Sequence, residues 1–255
     1  MAIETECYEA VCERRKCRPD LPDWPPTNPY FRLKSVLEFV GAAILLILTS
    51  PLILVVTVLV KLTSRGPAIY SQMRVGQFGK PDRIYKIRTM VHDCEKQSGA
   101  RWCARRDPRV TGLGRILRRT HLDELPQLWN VIRGDMSLIG PRPERPEFIP
   151  ALQQAIPHYT DRLLVRPGVT GLAQVQLPAD TDLKSVRRKL AYDLYYVRQV
   201  GLWLDLRILA CTVFKVAGVP FHVLRSLFHM PNRFEVERSY KNLRAASLAA
   251  EIQMA

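Results

Sequence analysis

Hydrophobic and polar positions divide the chain into a polar leader, one unbroken apolar run and a long mixed region. From Phe39 to Val60 the sequence reads FVGAAILLILTSPLILVVTVLV, 22 residues without a charge. That is long enough to cross the hydrocarbon core of a bilayer. The alternative is a buried helix of a water-soluble fold, in which uncharged runs of this length are rare. The run starts too far from the N-terminus for a simple cleavable signal. Ser50-Pro51 lies in its middle, and proline there removes a backbone donor and crowds the preceding turn. Basic residues flank it on both sides: Arg14, Arg15, Lys16, Arg18, Arg32 and Lys34 before, Lys61, Arg65, Arg74 and Lys80 after. Short basic flanks stay in the cytoplasm. A helix that enters, bends at Ser50-Pro51 and leaves on the same side satisfies both flanks; a kinked span with its N-terminus outside is the alternative.

The rest alternates short elements with turns. Residues 1 to about 30 end proline-rich and read as an irregular leader. Ala68–Arg74 and Arg83–Arg88 read as strands joined by the turn QFGKPD. Residues 89–97 suggest a short helix, and Arg101–Arg119 is a dense basic cluster. A helix is predicted over Leu122–Ile132, where Leu122, Leu125, Trp129 and Ile132 share a face. Turn-rich RGDMSLIGPRPERPE follows, and then RPGVTG leads into LAQVQL. Lys184–Val200 reads as a helix. Leu202–Val219 is apolar but interrupted by Asp205, Arg207 and Lys215, which suits a helix lying in the membrane interface with those charges wet. Phe221–Phe228 is a second such piece.

Charge changes this picture. Lys and Arg number 38 against 24 Asp and Glu, a formal net charge of +14, which points to an anionic partner: nucleic acid, anionic lipid or a phosphorylated substrate. The six cysteines form no CxxC pair, so zinc ribbons and thioredoxin-type sites lack support. Neither a Walker loop nor a GxGxxG fingerprint occurs. Two constellations remain. Asp123 and Glu124 adjoin in RRTHLDELPQL, with Thr120 three residues earlier as a helix N-cap. An ionised carboxylate in a first helical turn, near Arg118 and Arg119, is able to attack phosphorus; it equally completes a capping box. The second constellation is Lys86, Arg88, Arg115, Arg118, Arg119 and Arg142. Such cations hold and neutralise a pyrophosphate, and Arg142 stands on a backbone stiffened by Pro141 and Pro143. Singly, each is as readily a solvated charge.

The strings GPAIYSQMRVGQFGKPDRIYKIRTM, DPRVTGLGRILRRTHLDELPQLWNVIRGDMSLIGPRPE, RPGVTGLAQV and KLAYDLYYV closely resemble the bacterial sugar transferase family, the monotopic phosphoglycosyl transferases. The similarity runs from about Lys34 to Val219, and LDELPQLWNVIRGDMSLIGPRPE is its most specific block. The resemblance implies that Asp123 attacks the sugar-bearing phosphate of a UDP-sugar, releases UMP and holds the phosphosugar until undecaprenyl phosphate, a polyprenol phosphate, displaces it. It implies that Glu124, with Asp123, holds Mg²⁺, a cation suited to carboxylate and phosphate oxygens. Lys86, Arg88 and Arg118 would bind phosphates, Arg142 would engage the nucleotide, and Asp193 matches a further acidic position of the family site. The family's re-entrant helix has a Ser-Pro break matching Ser50-Pro51. Three departures stand out: His121 where a small hydroxyl residue is common, Ile87 where Phe is usual, and QLPADTD where Asn-Gly-Arg is more familiar.

Pattern and resemblance together predict an α/β fold, mostly helical with short strands. It would be a monotopic membrane protein with one re-entrant helix broken at Ser50-Pro51 and interfacial amphipathic helices. The expected division is a leader over 1–33, the re-entrant helix over 34–62, a cytoplasmic catalytic domain over 63–220 on the bacterial inner membrane, and a helical tail over 221–255. Expected partners are the UDP-sugar, undecaprenyl phosphate and membrane lipids, not nucleic acid; a homodimer is left open. With no multi-span region before the apolar run, the chain would be a minimal catalytic form. Two other readings are a membrane-anchored binder of anions and an inactive scaffold. A binder needs basic residues but no Asp-Glu pair, and an inactive scaffold need not keep one.

Overall fold

The structure is a computed structural model that describes residues 29–95, 99, 107–178, 180 and 182–254. Most of the leader, with Cys7, Cys12 and Cys17, and the stretch containing Arg101 and Cys103 lie outside the described residues. Helix predominates, with a few short strands.

Helix α1, Tyr30–Thr63, runs 34 residues and carries Pro51 inside it. The helix continues through Ser50-Pro51 without interruption. Proline cannot donate to the carbonyl four residues back, which is Ile47. The Ser50 hydroxyl donates to that same Ile47 oxygen at 2.8 Å, so no carbonyl is orphaned where water is absent. Only five residues of α1 are buried: Lys34, Glu38 and Ala42 before Pro51, Val56 and Val60 after it. Ala42 packs with Ile84, Leu128, Val131 and Met136. Val56 and Val60 pack with Ala68, Ile87 and Leu117. The helix thus touches the folded domain at both ends, while Ile47, Leu48 and Leu54 between them are exposed.

The expected hairpin is present as β1, Ile69–Val75, antiparallel to β2, Pro81–Ile87, pairing Ile69 with Ile87 and Val75 with Pro81. The expected helix over 89–97 is absent from its described part: Met90 bridges to Val110 instead. Within the basic cluster lies a helix that the sequence reading did not mark, α2, Gly112–Thr120. Its cap is Thr111, whose hydroxyl accepts from the Gly114 amide at 2.9 Å. Thr120 is therefore the end of a helix and not a cap. The predicted Leu122–Ile132 helix divides at Pro126 into a 3-10 turn, Leu122–Glu124, and helix α3, Gln127–Arg133. Leu128 and Val131 face the core, and Trp129 is half exposed.

Strand β3, Ser137–Ile139, pairs in parallel with β4, Gly168–Thr170. Their backbones meet without side chains between them: a Cβ on Gly140 would lie 2.4 Å from the Arg166 oxygen, and one on Gly168 would lie 2.1 Å from the Gly140 nitrogen. The remaining helices are α4, Ile149–Ala155, α5, Leu172–Gln176, α6, Leu183–Gln199, α7, Leu202–Val216, α8, Phe221–Leu227, and α9, Arg233–Met254. Leu224, Met230 and Val236 of the tail share a core cluster with Tyr192, Tyr196 and Ile208.

Helix α7 exposes Trp203, Leu206 and Val213, as an interfacial helix should. Asp205, expected wet, is buried. It accepts from Lys34 Nζ at 2.7 Å, from the Tyr196 hydroxyl at 2.8 Å and from the Tyr30 hydroxyl. Lys34 also pairs with Glu38 at 2.6 Å, and Glu38 accepts from Ser137 Oγ at 2.7 Å and the Ile139 amide at 3.2 Å. This network ties the start of α1 to β3 and α7, and a side chain paired on three sides has no need of water.

Candidate active site

The turn carrying Asp123 and Glu124 is set by its two neighbours. His121 ends α2 in the left-handed conformation, φ 57°, and Pro126 starts α3. The chain reverses between them and buries both carboxyls. Their surroundings differ. Glu124 Oε1 accepts from Lys86 Nζ at 2.6 Å and from Arg142 Nη2 at 2.7 Å, and Oε2 lies 3.4 Å from Arg142 Nη1. Burial opposes its charge, but Arg142 and Lys86 outweigh it and hold the carboxyl well below its usual range. Burial pulls Lys86 down from the ordinary lysine value, with Glu124 opposing. Asp123 makes no ion pair among the described residues. Burial first, then the charge of Glu124, raise it from 3.8 to about 6, while Lys86, Arg118 and Arg142 pull the other way. One carboxylate is thus locked and ionised, and its neighbour is buried, uncommitted and half titrated at about pH 6.

Glu124 and Arg142 of this group border a cavity of about 490 Å³. Its wall near the dyad includes His121, Glu124, Arg142 and Arg74; its far wall includes Thr170, Gln174, Thr212, Lys215 and the Asp180–Lys189 ion pair. Two sequence departures therefore fall on this cavity: His121, and the segment after LAQV through Leu177 and Asp180.

A family model described as bacterial sugar transferase matches residues 29–218, about three quarters of the chain. The chain belongs to that family. It is 43% identical over 188 residues to the UDP-N-acetylgalactosamine-undecaprenyl-phosphate N-acetylgalactosaminephosphotransferase of Aeromonas hydrophila, covering 74% of this chain and 44% of that protein. It is 46% identical over 182 residues to the UDP-glucose:undecaprenyl-phosphate glucose-1-phosphate transferase of Caulobacter vibrioides, covering 71% and 68%. It is 39% identical over 187 residues to the exopolysaccharide production protein PSS of Rhizobium leguminosarum, covering 71% and 93%. The chain thus spans less than half the length of the Aeromonas relative.

On this sugar transferase chain the expected site residues divide by place. Lys86, Asp123, Glu124 and Arg142 come together. Arg118 reaches Thr89 Oγ1 with Nε at 2.8 Å and acts on Asp123 by its charge. Arg88 lies apart from this cluster: it is buried against the end of α1, donating from Nη2 to Ser64 O at 3.0 Å and Ser64 Oγ at 2.8 Å, with Nε and Nη1 unpartnered. Asp193 is buried in α6 and forms an ion pair with Arg162 at 2.7 Å. Thr212 and Arg162 were not singled out by sequence reading, and Lys215, expected wet, is part-buried and donates to Gln174 O at 2.8 Å and Val175 O at 3.2 Å. Thr212 and Lys215 lie on α7 and Arg162 in the 3-10 segment Tyr159–Leu164, and only the fold brings them to the cavity or to its supports.

Asp123 and Glu124 offer a hard oxygen set of the kind Mg²⁺ shares with substrate phosphates and water. Among the described residues no group of three or more His, Cys, Asp or Glu side chains could hold a metal alone. Two carboxylates, one of them uncommitted, fit a cation whose other ligands come from substrate.

The raised Asp123 gives a pH dependence. If Asp123 is an attacking carboxylate it must be ionised, and kcat/KM for a sugar nucleotide should then fall about tenfold per pH unit below about 6. Glu124→Gln removes a cause of the rise, so any residual activity should show this limb at lower pH. A limb that stays in place across a pH series of wild type and variant would detach it from this carboxyl pair.

Proposed function

We propose that this chain transfers a sugar 1-phosphate from a UDP-sugar to undecaprenyl phosphate through a covalent intermediate on Asp123. A carboxylate oxygen of Asp123 attacks the sugar-bearing phosphorus; the bond from that phosphorus to the bridging oxygen breaks, and UMP leaves with its electron pair. An oxygen of undecaprenyl phosphate then attacks the same phosphorus, and Asp123 departs as a carboxylate. Two displacements through one nucleophile give ping-pong kinetics. The observation that carries this reading is the contrast within the dyad: Asp123 uncommitted, Glu124 clamped by Lys86 and Arg142. In this reading Lys86 and Arg118 bind the phosphates and Arg142 engages the nucleotide. Mg²⁺, held by Glu124 and Asp123, would supply Lewis-acid neutralisation of phosphate charge. The product is a lipid diphosphate sugar, the start of an exopolysaccharide, capsule, O-antigen or glycoprotein glycan. The test is UMP release over a panel of UDP-sugars, including UDP-N-acetylgalactosamine and UDP-glucose, with undecaprenyl phosphate. No release from any sugar would overturn the proposal.

The re-entrant topology is part of this reading. A spanning helix would put its ends about 30 Å apart on opposite faces of the hydrocarbon. One folded domain could then not grip both Lys34–Ala42 and Val56–Val60 while staying in water. Its contacts at both ends of α1 support entry and exit on the cytoplasmic face of the inner membrane. Impermeant labels at Arg32 and Lys61, both exposed, should react from the same side of sealed vesicles. Reaction from opposite sides would make α1 a span.

A further inference from the structure

Arg142 has a half-exposed side chain, 44%, on a backbone that is fixed from behind. The Gly140 amide donates to Thr170 O at 2.9 Å, and the Gly168 amide donates to Pro141 O at 2.8 Å. The next carbonyl, that of Arg142 itself, accepts from Arg162 Nη2 at 2.8 Å. Arg162 is buried. Its Nη2 also meets Asp193 Oδ2 at 2.7 Å, its Nη1 donates to the Tyr159 hydroxyl at 3.0 Å, and its guanidinium carbon lies 5.4 Å from the Tyr159 ring centroid. Its Nε is buried without a partner, but both terminal nitrogens are held, and that fixes the plane of the guanidinium. Arg162 is in the 3-10 segment Tyr159–Leu164, and Asp193 is in α6. Two elements remote in sequence therefore converge on the carbonyl of a single cavity residue.

We propose that Arg162 is a positioning residue that Asp193 orients, and that the pair holds the Arg142 backbone so that its guanidinium meets both Glu124 and the nucleotide diphosphate of the donor. This rests on the transferase reading above and gives Asp193 a task behind the site instead of on the substrate. Neither side chain touches the reacting atoms. The pair acts through the aim of Arg142, so its loss should appear in donor recognition first.

Removing Asp193 alone would leave a buried, unpaired cation and endanger the fold. The informative variant replaces both charges with apolar groups, Arg162→Met with Asp193→Leu. Full-length protein in nanodiscs should keep a cooperative melting transition. Hydrogen exchange followed by mass spectrometry should then show amides in 140–144 exchanging about tenfold faster, with the β1–β2 hairpin unchanged. KM for the UDP-sugar should rise about tenfold, with KM for undecaprenyl phosphate unmoved. Arg162→Lys keeps the charge but not the fork, and should lie between wild type and the double variant. Should the double variant fail to fold, the lysine variant decides by the same two readouts. Wild-type exchange in 140–144, or an unchanged donor KM beside an altered melting transition, would reduce the pair to a structural role and overturn the inference. A wild type that releases no UMP from any UDP-sugar would strike the transferase reading alone, since the exchange comparison still decides what Arg162 holds.

Discussion

Asp123→Asn is expected to reduce UMP release to background while making the protein more stable. The activity loss follows from the proposed chemistry: an amide of the same shape has no nucleophilic oxygen to give phosphorus. Incubated with UDP-sugar alone, wild type should gain one phosphosugar, found by mass spectrometry on the peptide bearing Asp123, and the variant should gain none. The stability gain follows from burial. The folded Asp123 titrates at about 6 and its ordinary value is 3.8, so the fold binds its proton more tightly than the unfolded chain does. Ionising it between those values costs stability, on the order of 3 kcal/mol for two pH units. The asparagine variant should therefore melt higher than wild type above pH 6 and equally below about pH 4. An active variant, or kinetics that need both substrates bound together, would replace the covalent scheme with direct transfer.

Glu124→Gln is expected to harm both turnover and fold. Its carboxylate is the common acceptor for Lys86 and Arg142, and glutamine takes away the charge that both cations share. Breaking a buried pair costs about 3–5 kcal/mol. Arg142 is nearly half exposed, so solvent screening reduces this, and a melting midpoint several degrees lower is expected. Turnover should fall at least about a hundredfold, the scale for losing one preorganised electrostatic group. If the proposed Mg²⁺ site is right, part of that loss should recover as Mg²⁺ is raised. A variant with wild-type rate at every Mg²⁺ concentration would remove Glu124 from the site.

Where local physics decides, the sequence was readable. The hairpin Ile69–Val75 with Pro81–Ile87 lies within a residue or two of the predicted strands, because alternation and the turn QFGKPD act over a few residues. The long apolar helix and helix Leu183–Gln199 were legible for the same reason. Thr120 misled because two threonines stand near the dyad and only the chain direction at His121 shows which one caps. Pro126 should have divided the helix after Asp123, since a residue before proline resists the helical conformation. The dyad itself was recognised through the family block, not through its spacing. What no local pattern revealed was which charges face each other. Asp205 interrupts an apolar helix much as a wetted residue would, and its partner Lys34 stands 171 residues earlier.

That distance has a consequence for how the protein is made. Ribosomes add about 5–20 residues each second, so Asp205 is synthesised on the order of ten to thirty seconds after Lys34. Through that interval helix α1 carries a cation and an anion whose later partners, Asp205 and Ser137, are not yet made. Lys34 and Glu38 are four residues apart, a spacing at which helix side chains meet on one face, and they lie 2.6 Å apart in the folded protein. They neutralise one another from the first turns of the nascent helix, and the later domain inherits a pair it has only to enclose.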